Sequence, residues 1–342
     1  MALAYRMSGN GGTIAMNTMN GTGGLVTVFG GSGFVGRHTV RALAKAGWRV
    51  RAAVRRPDLA GHLQPMGTVG QIHAVQANLR YPESIKAACA GADVVINLVG
   101  VLYPSGKQSF NAVHVAGARA VAKAAREAGA KRLIHVSAIG ADRKSASAYW
   151  RSKAEGEAGV LEEFADAVIL RPSLVFGPED ELFNRFAAMA RISPLLPLIG
   201  GGKTRIQPVF VGDLANAIAA VAAGKGKAGR IYEIGGPEVL SFRQILDKVQ
   251  TWSGRSKAYL RLPFWLAKLQ AALTVPLPNS MRPVTVDQLR MLQRDNVVSD
   301  AAQKEGRTLA GLGITAPHAA GSIVPAYLER FRPRGQYSHY RG

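Results

Sequence analysis

A run of closely spaced glycines near the start of the chain limits the folds open to it. Residues 25–29 read LVTVF, a β-branched run typical of a buried strand, and a glycine-rich turn follows at once. The turn consists of Gly30, Gly31, Ser32, Gly33, Phe34, Val35 and Gly36. Glycines at this spacing, between a strand and a helix, let the backbone approach a pyrophosphate at the positive end of the helix. The sequence therefore predicts a dinucleotide-binding βαβ unit; a tight turn without a ligand is the alternative.

β-Branched runs and Ala-rich stretches then alternate as far as Pro172. Helical spacing occupies residues 37–46, 82–89 and 113–128, each followed by a glycine where a helix C-cap is expected. The predicted strands are residues 25–29, 49–54, 71–75, 94–98, 133–137 and 167–170. Such alternation is typical of an α/β protein with a doubly wound parallel sheet, the Rossmann-like architecture.

Composition divides the chain into three regions. Residues 1–24 are rich in Gly, Met and Asn, carry one charged residue, Arg6, and lack the apolar core of a signal peptide, so we expect a mobile leader. Residues 25–175 are expected to form the dinucleotide-binding domain, whose core also uses parts of 205–237. Residues 176–342 are expected to form a smaller, irregular C-terminal lobe that faces a partner or a membrane surface. No stretch reaches the ~18 apolar residues of a membrane-spanning helix.

The charge balance predicts an anionic neighbour. The chain has 43 Lys and Arg against 22 Asp and Glu, a formal net charge of +21, which is more than solubility requires. Anionic lipid headgroups or an acidic protein fit this charge, whereas nucleic acid is not expected, because zinc-finger spacing and aromatic ribonucleoprotein motifs are missing. A basic surface without a dedicated partner is the alternative. The single cysteine, Cys89, excludes an intramolecular disulfide and a multi-cysteine metal site, and it fits a reducing compartment.

Two arginines follow the second predicted strand, where NAD-binding proteins usually carry an acidic residue for the ribose hydroxyls. The guanidinium groups of Arg55 and Arg56 suit the 2′-phosphate of NADP(H), and Arg37, directly after the last glycine, is placed to join them. The alternative is that these arginines belong to the general basic surface. Further candidates, for the adenine amino group and for the floor beneath the cofactor, are Asn78, Asn97 and Gly100.

A serine, a tyrosine and a lysine downstream have the spacing of proton-transfer chemistry. Ser137 closes the fifth strand, and Tyr149 and Lys153 are four residues apart, so they share one helix face. An ammonium group beside a phenol lowers its pKa, so the tyrosine can exchange a proton while nicotinamide exchanges hydride and the serine orients a carbonyl. The same spacing also occurs by chance, and the upstream glycine turn is what favours the catalytic interpretation.

Together these residues resemble the short-chain dehydrogenase/reductase superfamily, in its extended or atypical branch, over residues 25 to about 245. The shared elements are Gly30 to Gly36, Asn97, Ser137, Tyr149, Lys153, Arg171, Pro172, and residues 173, 176–178, 209–215 and 232–237. The resemblance implies that Arg171 and Pro172 also belong to the cofactor site. One position departs from the pattern, because His114 stands where active members often carry an asparagine that assists a proton relay.

The C-terminal third narrows the resemblance to the dehydrogenase-like accessory subunits of respiratory complex I. The matching segments are residues 262–266, 285–289 and 294–299. The resemblance implies a tightly held NADPH that serves structure, other subunits of the complex as partners, and no need of a free substrate. It also implies a peripheral position near the quinone entry, on the cytoplasmic face of a bacterial inner membrane or the matrix side of a mitochondrial one.

The residues of this third indicate an interfacial surface in their own right. Residues 255–294 contain seven Lys and Arg and one acidic residue, interleaved with Phe264, Trp265, Leu266 and Leu269. Such a segment suits contact with anionic lipid or acidic protein, and a helix packed on the core is the alternative.

Two other functions stay open at the level of sequence. A free-standing NADP-dependent reductase or epimerase would use Ser137, Tyr149 and Lys153 as catalysts in an enclosed substrate pocket. A redox-sensing NADP(H)-binding regulator would need only cofactor binding and a surface that responds to it. The fold itself does not discriminate among these functions, since one fold hosts many.

Overall fold

The computed structural model describes residues 23–274 and 284–333, so of the leader expected at 1–24 only Gly23 and Gly24 are included. The strands are β1 (Leu25–Phe29), β2 (Arg49–Val54), β3 (Ile72–Gln76), β4 (Val94–Asn97), β5 (Arg132–Val136), β6 (Val168–Pro172), β7 (Val175–Phe176), β8 (Leu195–Ile199), β9 (Arg205–Ile206), β10 (Val209–Phe210), β11 (Ile231–Ile234), β12 (Leu240–Ser241) and β13 (Ala258–Leu262). The helices are α1 (Phe34–Lys45), α2 (Pro82–Cys89), α3 (Gly117–Glu127), α4 (Ala148–Glu163), α5 (Leu182–Ile192), α6 (Val211–Ala222), α7 (Phe242–Trp252), α8 (Phe264–Leu273), α9 (Val286–Met291), α10 (Asp300–Lys304) and α11 (Ala320–Leu328).

Seven parallel strands form the central sheet, in the order β11, β6, β5, β4, β1, β2, β3. From β1 the sheet extends through β2 to β3. The chain then returns to place β4 beside β1, and β5, β6 and β11 extend the sheet beyond β4. The strand order therefore reverses between β1 and β4, and ligands of doubly wound sheets bind at such a point, beyond the carboxyl ends of the strands. The predicted doubly wound α/β fold is confirmed.

Helices cover both faces of the sheet. Helices α1 and α6 pack on one face, where Leu43 and Ile218 are fully buried against the strands. Helices α2 and α3 belong to the other face, where Ile85 and Val121 are fully buried. Because both faces are covered, β1 and β4 read as almost continuous apolar runs rather than alternating ones.

The six strands predicted from the sequence are present, each within two residues of its expected bounds. The seventh strand, β11, and helix α6 come after Pro172, where the regular alternation of β-branched runs and Ala-rich stretches in the sequence ends. Helix α6 has no polar face that would produce a helical period, since its buried residues include Val211, Asp213 and most of the apolar positions that follow.

The C-terminal lobe has an apolar core of its own. Phe176, Phe183 and Leu246 are fully buried in a cluster that helices α5, α7 and α11 surround. Around it, β7 pairs with β10, β9 with β12 and β8 with β13 in separate two-stranded sheets. Within the described residues, no helix has both the length and the apolar character needed to cross a membrane.

Candidate dinucleotide site

The glycine-rich turn forms a narrow cradle between β1 and α1. Gly30 has a left-handed φ of 80°, and its N–H donates to the carbonyl of Ala53 on the neighbouring strand at 3.0 Å. A Cβ on Gly36 would lie 2.1 Å from the Gly30 carbonyl oxygen, so only glycine allows the first turn of α1 to approach the loop this closely. Among the described residues, no side chain caps α1 and no acidic residue lies in its first turn. The N–H groups at this end are thus available to an anion.

Arg37 lies over this cradle but already has partners. Its guanidinium donates to the carbonyls of Ser32 and Gly33 at 3.3 and 3.4 Å, and it lies 3.5 Å from the carboxylate of Glu179. Glu179 also lies 3.1 Å from Nε2 of His38. This carboxylate therefore holds the loop after β7 against the start of α1 and offsets part of the charge of Arg37.

The two arginines after β2 are not equivalent. Arg56 forms a bidentate pair with Asp58, in which Nη2 lies 2.7 Å from Oδ2 and Nε lies 3.0 Å from Oδ1. The hydrogen bond from Arg56 lowers the pKa of the Asp58 carboxyl. Arg55 is exposed and makes no hydrogen bond or ion pair with any described residue. Of the two, Arg55 is the one whose guanidinium is free to meet a phosphate.

The candidates after β3 and β4 are held within their own loops. Oδ1 of Asn78 accepts the backbone N–H of Arg80 at 3.2 Å. Asn97 is buried, and its Oδ1 accepts the N–H of Val99 at 3.1 Å. A Cβ on Gly100 would lie 3.3 Å from Nζ of Lys153, so glycine at this position leaves room beside the lysine. Asn97 thus orders the loop after β4, in which Gly100 borders Nζ of Lys153.

Ser137, Tyr149 and Lys153 meet in one buried location. The Oγ of Ser137 has no hydrogen-bond partner among the described residues, although the atom is buried. Nζ of Lys153 donates to the carbonyl of Val136 at 3.3 Å and lies 5.9 Å from the centre of the Tyr149 ring. A buried hydroxyl left without a partner is costly, so this arrangement fits a site completed by a polar ligand.

The acid–base balance of this cluster differs from the expectation for a proton-transfer site. Burial raises the pKa of the Tyr149 phenol to about 12. Burial also lowers the pKa of Lys153 to about 8, which the charge of Glu157 partly opposes. Loss of solvation therefore raises the pKa of Tyr149, opposite in direction to the lowering expected from a neighbouring ammonium.

His114 serves as a structural link. Its Nε2 accepts the backbone N–H of Val101 at 3.0 Å, which requires the proton on Nδ1. Nδ1 then donates to Oγ of Ser152 at 2.8 Å, and that hydroxyl donates to the carbonyl of Tyr149 at 2.7 Å. Burial lowers the pKa of His114 to about 2. The ring is neutral with both nitrogens occupied, so it ties the loop after β4 to α4.

Arg171 and Pro172 frame the site from β6. The guanidinium of Arg171 forms a bidentate pair with buried Glu157 on α4, with contacts of 2.8 and 2.5 Å. The carbonyl of Pro172 accepts the N–H of Ile139 in the loop after Ser137, at 2.9 Å. Arg171 thus holds α4 against β6, and Pro172 holds the loop after Ser137.

Asp287, which has no site role predicted from the sequence, also contacts this region. Its carboxylate accepts hydrogen bonds from the first residues of α4, the helix that carries Tyr149 and Lys153. The available signal was that Asp287 is the one acidic residue in the basic segment 255–294. Elsewhere in the described chain, no cluster of His, Cys, Asp or Glu is suited to hold a metal ion.

A glycine cradle at the sheet's switch point, facing a buried Ser-Tyr-Lys cluster, defines a dinucleotide-binding protein of the reductase and epimerase type. The pattern of the NAD dependent epimerase/dehydratase family matches residues 26–235, and the chain belongs to that family. The chain is 38% identical over 302 residues to NADH dehydrogenase (ubiquinone) 1 alpha subcomplex subunit 9, mitochondrial, of Arabidopsis thaliana, which covers 83% of this chain and 75% of that protein.

Two further similarities are to a reductase and to a solved structure. The chain is 38% identical over 198 residues to ceramide reductase of Caulobacter vibrioides, which covers 58% of this chain and 60% of that protein. The solved structure of an NADPH-dependent quinone oxidoreductase of Escherichia coli with NADPH aligns at a TM-score of 0.70. That alignment covers 89% of this chain and 99% of the other at 21% identity, which shows a shared fold.

Proposed function

We propose that this chain is an NADP(H)-binding accessory subunit of an NADH:ubiquinone oxidoreductase, in which the cofactor mainly stabilises structure. The assembly follows from the similarity to the Arabidopsis subunit, which extends over most of the chain. The structural role of the cofactor is supported by His114, which stands in place of the relay asparagine and is buried with both ring nitrogens bonded, to Val101 and Ser152. Burial also raises the pKa of the Tyr149 phenol to about 12. An efficient proton donor or acceptor has a pKa near the working pH, so this phenol is poorly suited to proton transfer at neutral pH.

The residues present fit a dinucleotide. The cradle at Gly31 and Gly33 and the uncapped start of α1 would hold the pyrophosphate. Ser137, with its unpartnered Oγ, and Lys153 would bind the ribose and nicotinamide end. Nicotinamide supplies hydride chemistry when a substrate is present, and here its binding supplies hydrogen-bond partners to buried polar groups.

The preference for NADP(H) over NAD(H) rests on Arg55. This guanidinium is exposed and unpartnered within the described residues, at the end of the strand where the adenosine ribose is bound in this fold. The nearest carboxylate along the chain, that of Asp58, is paired with Arg56 and does not occupy the position of a ribose-binding acid. A 2′-phosphate would therefore meet a positive rather than a negative group.

Helix α8 is the proposed contact with the membrane surface. Its outer side exposes Trp265, Leu269 and Leu273, which are 68%, 51% and 73% accessible. Lys268 lies on the same helix, and Arg261 lies on β13, directly before it in the chain, so cations accompany the apolar stripe. Such a combination suits the boundary between acyl chains and anionic headgroups. Residues 275–283, which continue this basic segment, lie outside the described residues.

We infer a peripheral position, with the other subunits of the oxidoreductase as partners, and the exposed apolar and basic surface at α8 supports this. The corresponding location is the cytoplasmic face of a bacterial inner membrane, or the matrix side of a mitochondrial one. No free substrate is required for this role.

Two variants test the proposal. Tyr149→Phe removes the phenol but keeps the ring, so we expect an assembled, cofactor-loaded complex with near-normal NADH:quinone turnover. Gly33→Trp fills the pyrophosphate cradle, so we expect loss of cofactor and a subunit that is unstable or missing from the assembly. The measurements are quinone turnover and the subunit's occupancy in the purified complex. Normal assembly of a cofactor-free Gly33→Trp protein would contradict the structural role.

A free-standing reductase is the second candidate, because Ser137, Tyr149 and Lys153 are all present in one buried cluster and a ceramide reductase is among the relatives. This function predicts substrate-dependent NADPH oxidation by the isolated protein, and the rate should collapse in Tyr149→Phe. Under the accessory-subunit proposal the wild-type and variant proteins show the same background rate. Comigration of the protein with a large respiratory assembly separates the two candidates independently.

A further inference from the structure

One segment of the C-terminal lobe lies across the elements that carry the site. This segment, residues 284–298, is called the strap here. Arg294 of the strap lies 3.3 Å from Asp142 in the loop between β5 and α4. The carbonyl of Asn296 accepts the hydroxyl of Ser173, after β6, at 2.8 Å. The strap therefore contacts the loop that follows Ser137 and the residue that follows Pro172.

Its closest connection to the site is through Asp287. Oδ1 accepts the N–H of Ala148 at 2.8 Å, and Oδ2 accepts the hydroxyl of Ser147 at 2.8 Å and the N–H of Tyr149 at 3.0 Å. A helix usually obtains these acceptors from its own N-cap side chain. Here Ser147 caps Trp150, and the carboxylate comes from a residue about 140 positions away in the chain.

The position of this carboxylate has electrostatic and geometric consequences. A negative charge at a helix N-terminus interacts favourably with the unpaired N–H groups and the positive end of the helix dipole. Tyr149 is the second residue of α4, and Lys153 follows one turn later. The carboxylate therefore determines the position of the backbone that carries both side chains.

On its other side, the strap packs against the helix that exposes the apolar surface. Leu289 of α9, two residues after Asp287, is buried in a cluster with Ala267 and Ala271 of α8 and with Ile199. The opposite side of α8 carries Trp265 and its apolar neighbours, which are exposed. A continuous series of contacts thus leads from Tyr149 through Asp287 and Leu289 to the proposed membrane-facing helix.

We propose that Asp287 is a positioning residue that couples the dinucleotide site to the α8 surface. A cofactor held by Ser137 and Lys153 restrains α4, and Asp287 passes that restraint to α9 and α8. The coupling is reciprocal, so attachment of α8 to its partner strengthens cofactor binding by the same factor. This inference rests on the cofactor binding proposed above, and it adds the route by which occupancy of the site affects the docking surface.

The experiment compares Asp287→Asn with Asp295→Asn in the full chain. Asp295 is a matched control, because it lies on the same strap and accepts two hydrogen bonds, both from Arg205 and none from α4. Two quantities are measured: the Kd of NADPH, and hydrogen exchange of amides in 264–273 and 286–291 with and without saturating NADPH. In wild type and Asp295→Asn, NADPH slows exchange in both helices. In Asp287→Asn, Kd rises about tenfold and this slowing disappears.

Each remaining outcome decides against the inference. If Asp287→Asn keeps the NADPH-dependent protection of α8 and α9, the coupling does not run through Asp287. If wild type binds NADPH without slowing exchange in α8 and α9, the inference fails while the proposed cofactor binding stands. If wild type binds no dinucleotide, both fail. Should Asp287→Asn not fold, Ser147→Ala removes one of the three contacts, and we expect a smaller change in the same direction; no change there would also overturn the inference.

Discussion

Lys153 is a buried cation. Its environment favours the binding of a ligand at the expense of the stability of the folded protein. Its one hydrogen bond within the described residues goes to the carbonyl of Val136. Burial lowers its pKa from 10.5 to about 8, so the charged form is disfavoured in the folded state. A dinucleotide ribose would supply further acceptors, so we expect Lys153 to destabilise the cofactor-free protein and to favour the bound one.

We predict that Lys153→Met stabilises the cofactor-free protein at pH 7 and weakens NADP(H) binding. Below pH 8 the buried charge lowers the free energy of unfolding of the wild type. This penalty disappears as the pH rises toward 10.5, because the folded state loses the proton while the unfolded state still binds it. The stability difference between variant and wild type should therefore shrink by about 2 kcal/mol between pH 7 and pH 9.5.

Urea unfolding of both proteins at several pH values in this range measures the effect. The comparison isolates Lys153, since Cys89, whose thiol pKa burial raises to about 12, titrates in both proteins. A stability difference that does not change with pH would show that Lys153 is not buried as a cation.

Arg55 and Arg56 should contribute unequally to cofactor choice. Arg55→Ala is expected to weaken NADP(H) binding by about 1.5–3 kcal/mol, the worth of a hydrogen bond to a charged group. Arg56→Ala should weaken NADP(H) binding by less, because the guanidinium of Arg56 is already paired with Asp58. Binding of NAD(H) should change little in either variant. Titration of each variant with NADPH and NADH tests this, and equal losses for both cofactors would refute the role assigned to Arg55.

At the scale of elements, the first turn of α1 depends on glycine for close approach to the preceding loop. A Cβ at residue 36 would lie 2.1 Å from the Gly30 carbonyl oxygen and 2.7 Å from the Gly31 carbonyl carbon, both backbone atoms. We predict that Gly36→Ala lowers the free energy of unfolding by about 1–3 kcal/mol and abolishes NADPH binding, since the loop must open.

Gly61→Ala is the matched control, because a Cβ at Gly61 would have no atom within 4 Å. Denaturant unfolding and NADPH titration of the two variants separate the effect of the steric clash at residue 36 from the effect of replacing any glycine by alanine. If Gly36→Ala behaved like Gly61→Ala, the cradle would not be as tight as the geometry indicates.

Helix α4 shows how much of an element the sequence predicts. The spacing of Tyr149 and Lys153 places them on one helix face, and both are buried in the same cluster. The close packing of this helix was not predicted: a Cβ on Gly156 would lie 2.0 Å from the carbonyl oxygen of His114. Nor was its capping by Asp287, since contacts between distant segments leave no periodic signal in the sequence.

At the scale of the molecule, the α8 surface should bind anionic membranes. Leu269→Gln removes an apolar side chain that is 51% exposed, and charge reversal of Arg261 and Lys268 removes the attraction to headgroups. We predict that either change weakens binding to phosphatidylglycerol vesicles, and that wild-type binding falls as salt shortens the Debye length from about 10 Å at 0.1 M to about 3 Å at 1 M. Cosedimentation with these vesicles and with neutral phosphatidylcholine vesicles measures both effects.

Leu59→Gln provides the control, since Leu59 is 66% exposed and lies in the segment between β2 and β3 rather than on α8. It should bind vesicles like wild type. If the α8 variants bound the vesicles as tightly as Leu59→Gln does, this helix would face protein rather than lipid.

The parallel sheet, the glycine turn and the Ser-Tyr-Lys set could be predicted from the amino-acid sequence, because each depends on the identity and spacing of residues close together in the chain. Four properties become visible only in the folded chain: which arginine after β2 is free, that His114 is neutral and fully bonded, that burial raises the pKa of Tyr149, and that Asp287 caps α4. These properties arise from desolvation and from contacts between segments up to about 140 residues apart, and both exist only once the chain has folded.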